Sequence, residues 1–78
     1  MKRIPVYLRD MYDAKHLVQI AGSCQGNVDL ICGRYVVDAK SMLGVFSLPA
    51  FDQVELEVRE EEEEVIREKL ESFLLIRK

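Results

Sequence analysis

Three kinds of side chain in this sequence have the chemistry for a reaction. His16, in YDAKHLVQ, is the sole imidazole of the 78 residues, so any acid–base or phosphoryl-transfer step that needs one falls to it. Ser41 opens the apolar stretch SMLGVFSL, where a hydroxyl either caps a helix or receives a phosphoryl group. Cys24 and Cys32, with seven residues between them, lack the C-x-x-C spacing of a redox pair or of half a zinc site. They read as two small buried thiols, with a disulfide between them left open. Gly22, Gly26 and Gly33 lack the G-x-G-x-x-G spacing of a phosphate loop, and no serine–histidine–acid triad can be assembled. No metal and no cofactor are expected, and the chain does not read as an enzyme.

Periodicity limits what His16 can do. Ala14, Leu17, Val18, Ala21 and Cys24 fall at i, i+3, i+4, i+7 and i+10, which predicts a helix over 11–24 with one apolar stripe. His16 lies almost opposite that stripe, beside Lys15 and Gln19, and is expected in solvent. A nucleophilic imidazole needs a partner that fixes its tautomer and donors that receive charge, whereas amides inside a helix are already bonded. Asp10 and Asp13 are both candidate N-caps, and Gly26 is placed to stop the helix.

Ser41 is better placed. As N-cap of a helix from Met42 to about Leu48, its oxygen accepts from the amide of Leu43 or Gly44. Val45 and Leu48 then turn inward together, leaving Met42, Leu43 and Phe46 wholly or partly outward. An apolar patch of this kind beside a polar border suits docking. A phosphoryl group on Ser41 would add a charge of about −1.5 to −2 at the edge of the patch. Lys40, with Arg9 or Lys15, is the expected cationic neighbour.

The remaining elements follow from pattern. RIPVYLR, 3–9, alternates Ile4, Val6 and Leu8 against polar positions, a half-buried strand whose Pro5 favours a sheet edge. NVDLICGRYVVDA, 27–39, reads as a tight hairpin around Cys32-Gly33, with Val28, Leu30 and Cys32 on one face and Tyr35, Val37 and Ala39 continuing it. QVELEVR, 53–59, puts Val54, Leu56 and Val58 inward. A final helix over 61–75 aligns Ile66, Leu70, Phe73, Leu74 and Arg77, with acids in its first turns and Arg77 and Lys78 at its end. The glutamate run 60–64 is read first as a solvated helix start and second as an acidic docking surface. Polar residues alternating along the strands predict an antiparallel sheet with one buried face, giving α+β, two layers, in the order β-α-β-β-α-β-α.

Size and charge set outer bounds. A chain of 78 residues has room for one core, so 1–78 is expected to be a single domain. Hydrophobic residues at 49% and charged residues at 32% describe a globule and not a disordered tract. The net charge of −3 disfavours direct contact with nucleic acid. No apolar run approaches the roughly 20 residues of a membrane span. A cytoplasmic location is expected, with proteins as partners and self-association open through the Met42, Leu43 and Phe46 patch, joined by Ile31 or Val36 on the outer sheet face.

The segment KSMLGVFSL, 40–48, resembles the region around the regulatory serine of HPr, the histidine-containing phosphocarrier family of the bacterial sugar phosphotransferase system. The likeness runs from Leu17 onward, and Lys40-Ser41 followed by Gly44, Val45, Ser47 and Leu48 is its most specific part. It implies an open-faced sandwich, a four-stranded sheet in order 1-4-2-3 with three helices on one side. It also implies phosphorylation at Ser41 by a dedicated serine kinase, with docking of a transcriptional regulator or phosphotransferase components at Met42, Leu43 and Phe46. The family's Gly-Leu-His-x-Arg-Pro motif is absent: the region reads LRDMYDAKHL, and counting back from Ser41 puts Asp10 at the histidine position. The resulting expectation is a regulatory HPr-like protein and not a histidine phosphocarrier. The alternatives are transfer through His16, and a repurposed scaffold or oligomer in which Ser41 is only a cap.

Overall fold

The computed structural model describes residues 1–77, which form β1 (Lys2–Val6), α1 (Met11–Gly22), β2 (Asp29–Cys32), β3 (Tyr35–Asp38), α2 (Met42–Phe46), β4 (Val54–Val58) and α3 (Glu63–Ser72). All strand pairs are antiparallel and the sheet order is β1-β4-β2-β3, the order the resemblance implies. One row of side chains crosses the whole sheet: Ile4 opposite Leu56, Leu56 opposite Leu30, Leu30 opposite Val37. Ile4, Leu30 and Leu56 are fully buried beneath the helices, and each contributes about 1.5–3 kcal/mol by leaving water. The next row, Arg3, Glu57, Asp29 and Asp38, belongs to the open face, where Arg3 pairs with Glu57 at 3.1 Å and Glu55 at 3.6 Å.

The first strand is shorter than its alternation predicts. After Val6 the chain leaves β4; Tyr7 donates to the Leu75 carbonyl at 2.8 Å and Leu8 to that of Phe51 at 3.0 Å. Leu8 stays buried, so the alternation marked burial correctly but not ladder pairing. Pro5 stands on an edge strand with its missing donor turned away from β4. Its carbonyl, on the same side, accepts from Arg77 N–H at 3.0 Å.

The largest departure is at the C-terminus. α3 stops at Ser72, because Leu74 takes a positive φ of 59°. Leu74 N–H bonds to Glu71 C=O and Leu75 N–H to Leu70 C=O, the two bonds of a Schellman cap. The reversal buries Leu75, turns Phe73 and Leu74 outward, and lays Ile76 against Val6. Leu74 and Arg77 therefore do not extend a helical face, and Lys78 lies outside the described residues. The run of glutamates begins as a 3-10 turn, Glu60–Glu62, before α3 proper.

Smaller corrections share one cause, the local fit of neighbours. α2 ends at Phe46 and not near Leu48, although Leu48 is buried. α1 ends at Gly22 with Ser23 as its C-cap, so Gly26 does not stop it. Gly26 instead makes room, because a Cβ there would meet the Arg59 side chain and the Glu62 carboxylate unless they shifted. Gly33, at φ 61°, opens the two-residue hairpin turn. Tyr35 faces the helical side yet is exposed, while Ile31 on the open face is largely covered.

Candidate functional site

Ser41 is the N-cap of α2, as its sequence context predicts. Its Oγ accepts from Gly44 N–H at 3.2 Å, and its backbone is extended as a capping residue requires. Val45 is the inward anchor of the helix. Leu43 is 84% exposed and Met42 39%, while Phe46 is half-buried against the core, so the outward patch consists chiefly of Met42 and Leu43.

The charges around Ser41 differ from expectation. Lys40 Nζ reaches across to the Cys24 carbonyl at 3.0 Å, satisfying an acceptor beyond the end of α1. Lys40 N–H bonds to Asp38 Oδ1 at 2.9 Å and Ser41 N–H to Asp38 C=O at 3.0 Å, so a carboxylate flanks the serine. Arg9 and Lys15 are engaged elsewhere. Arg9 pairs with Asp13 at 2.8 Å and donates to Phe73 C=O, and Lys15 lies over the Tyr12 ring at 5.6 Å.

His16 is half-buried, not free in solvent. Its ring stacks on Phe73, centroids 4.3 Å apart and planes 25° apart. The Schellman turn that ends α3 places Phe73 there, and no spacing within residues 11–24 signals a partner so distant in sequence. Asp10, the residue that counts onto the family's histidine position, caps α1, whereas His16 sits within the helix beyond its first turn.

The start of α1 is filled by the chain's own acids. Asp10 Oδ1 accepts from Asp13 N–H at 3.0 Å, which settles the N-cap on Asp10. Asp13 Oδ2 accepts from Arg9 N–H at 2.9 Å and from Arg9 Nε at 2.8 Å. Burial by itself would push the Asp13 carboxyl up; the Arg9 guanidinium and backbone N–H outweigh it and hold the group below its usual value. A helix N-terminus attracts anions, but here two carboxylates already occupy the surroundings and the arginine is spent on one of them. Arg9 precedes the cap at Asp10, so helical spacing did not signal its pairing with Asp13.

A second carboxylate anchor ties the strand–helix junction to the α1–β2 loop. Glu62 accepts from Gln25 N–H at 2.9 Å and Gly26 N–H at 3.0 Å, and these bonds hold its carboxyl below its ordinary range. Beside it is a cleft of about 110 Å³ lined by Ser23, Cys24, Val65, Ile66 and Lys69 together with Glu61 and Glu62. Cys24 and Cys32 are both free and buried in the structure; burial, then Glu62, raises the Cys24 thiol. No group of three or more potential metal ligands converges among the described residues. No helix among them is long and apolar enough to cross a membrane.

The family model described as PTS HPr component phosphorylation site matches residues 11–75. That span starts after Asp10 and takes in both His16 and the whole of α2. No curated protein and no solved structure matches the chain. A match from Met11 to Leu75, joined to a sheet ordered β1-β4-β2-β3 under three helices, places this chain in the HPr family of the phosphotransferase system.

Proposed function

We propose that this HPr-family chain acts as a regulatory docking protein in which phosphorylation of Ser41 changes the partners of the α2 surface. HPr is a phosphocarrier family whose members work through contacts with other phosphotransferase-system proteins. The observation that carries the regulatory reading is the adjacency of Ser41 to Met42 and Leu43, an exposed apolar pair directly after a capping hydroxyl. A phosphoryl group at Ser41 Oγ keeps oxygens within reach of the Gly44 amide, so the cap survives the modification. Asp38 opposes the new charge and Lys40, released from the Cys24 carbonyl, offsets it. The change is therefore mainly in surface charge, with the fold retained.

Transfer through His16 has less support. The ring is held flat on Phe73, and the helix start that would receive a phosphoryl anion is lined by Asp10 and Asp13.

Two incubations separate these readings. With the phosphotransferase serine kinase and ATP, intact mass should rise by one phosphoryl group, mapped to Ser41 and absent from Ser41→Ala. Failure of any modification at Ser41 would sink the regulatory reading. With the first enzyme of the phosphotransferase system and phosphoenolpyruvate, no acid-labile phosphoryl group is expected; its appearance, and its loss in His16→Ala, would establish the carrier instead.

A further inference from the structure

β1 and β3 form the two edges of the sheet, and they are treated differently. Beside β1 lie Leu75 to Arg77: Val6 bridges Ile76, and bonds run from Tyr7 N–H to Leu75 C=O and from Arg77 N–H to Pro5 C=O. Beside β3 no strand pairs among the described residues except β2, on its inner side. Cys32 and Tyr35 flank a two-residue turn and so form a hydrogen-bonded pair. Alternation then turns the N–H and C=O of Val36 away from β2. Unpaired edge groups template another strand, and edges are usually blunted by lysine, proline or a bulge. This one presents Tyr35 and Val36, 55% and 60% exposed, both good strand formers.

The edge is complementary to itself. In an antiparallel pair of two RYVVD segments with Val36 opposite Val36, Arg34 meets Asp38 at each end and Tyr35 meets Val37. Shifting the pairing by one hydrogen-bonded step sets Arg34 against Lys40 and Val36 against Asp38, so charge selects the first register. Both charged groups have capacity to spare. Arg34 is exposed and makes no ion pair among the described residues. Asp38 uses Oδ1 for Lys40 N–H, and Oδ2 makes no hydrogen bond among the described residues.

We propose that β3 pairs with β3 of a second copy of this chain, antiparallel about Val36, joining two sheets into one of eight strands. Opposed residues keep to the same face in this register, so both sets of helices lie on one side. Tyr35, 55% exposed in one copy, then packs against Val37 of the partner subunit. On the open face Ile31 and Val36 continue into the same pair of the partner subunit as one apolar strip. Four-residue edges bury less than a standard interface, which makes the dimer weak and dependent on concentration. The outward C=O of Asp38 is already held by Ser41 N–H at 3.0 Å, so the free edge groups are chiefly those of Val36; neither the Ser41 hydroxyl nor the α2 surface takes part.

Sedimentation equilibrium on the full chain, from about 10 μM to about 1 mM as suits a small interface, reads the result. The wild type should pass reversibly from monomer to dimer. Arg34→Asp and Asp38→Arg each set like charges opposite at both ends and should remain monomeric while keeping the far-UV circular dichroism of the wild type. Their equimolar mixture should regain a dimer, because opposite charges then face each other at both ends, and a misfolded variant could not produce that recovery. A monomer throughout the range overturns the proposal, as does a dimer that both single variants leave intact, or folded variants whose mixture stays monomeric. A dimer abolished by Leu43→Lys and untouched at Arg34 and Asp38 also overturns it and moves the interface to α2.

Discussion

The imidazole of His16 and the ring of Phe73 are stacked with centroids 4.3 Å apart, joining the middle of α1 to the residue that ends α3. A stack of this kind contributes roughly 0.5–1.5 kcal/mol beyond the area it buries. Phe73→Ala should therefore cost about 1 kcal/mol by denaturant titration and shift the His16 ring protons downfield as the ring current is lost. An unchanged His16 spectrum would mean the stack is not populated in solution.

Leu74 is in the left-handed region, which costs a residue with a Cβ roughly 1–2 kcal/mol. Its side chain is 73% exposed, so truncation removes little packing. Leu74→Gly gives back the strain and loses part of it to the entropy of the unfolded chain. A net gain of about 0.5–1 kcal/mol is expected, read as a Tm rise of roughly 2–8 °C in a domain of this size.

Acid should loosen the fold through Asp13 and Glu62. Both carboxyls are held below their ordinary values, 3.8 and 4.5, by bonds to their charged forms. A depressed folded pKa gives stability that is complete above the unfolded value and is lost as pH falls through the folded one. Asp13→Asn should cost about 1.5–3 kcal/mol near neutrality, where charged hydrogen bonds are lost. Its gap from the wild type should close as pH drops below 3.8, and a gap independent of pH would contradict the charge assignment. Glu62→Gln should narrow likewise below 4.5.

Gly26 leaves room for the Arg59 side chain and for the carboxylate that caps Gln25 and Gly26. Gly26→Ala should cost roughly 1–3 kcal/mol as overpacking. Placing it on Arg59→Ala removes the main clash, so the two changes should couple in a double-mutant cycle. Strict additivity would show that Arg59 moves aside freely.

Ser41 illustrates what local sequence carries well. A hydroxyl before Met-Leu-Gly-Val identifies a cap whose partner is three residues away, and Gly44 N–H is that partner. The same holds for the valine–leucine alternation of β4 and for Asp10 ahead of α1, because capping, pleat and helical stripe depend on neighbours within one or two turns. Asp13 was harder, since two acids three residues apart compete for one cap and Arg9 decides between them.

Short-range periodicity is enough to give the α+β order, the inward rows at Ile4, Leu30 and Leu56, and the capped serine beside an apolar pair. Where Phe73 goes, which cations Ser41 keeps and which sheet edge stays open follow from the packed chain alone. Each of these depends on the chain reversal at Leu74 or on a bond spanning many residues, such as Lys40 to the Cys24 carbonyl. No short-range pattern encodes them, because the partners meet only once the helices have packed on the sheet.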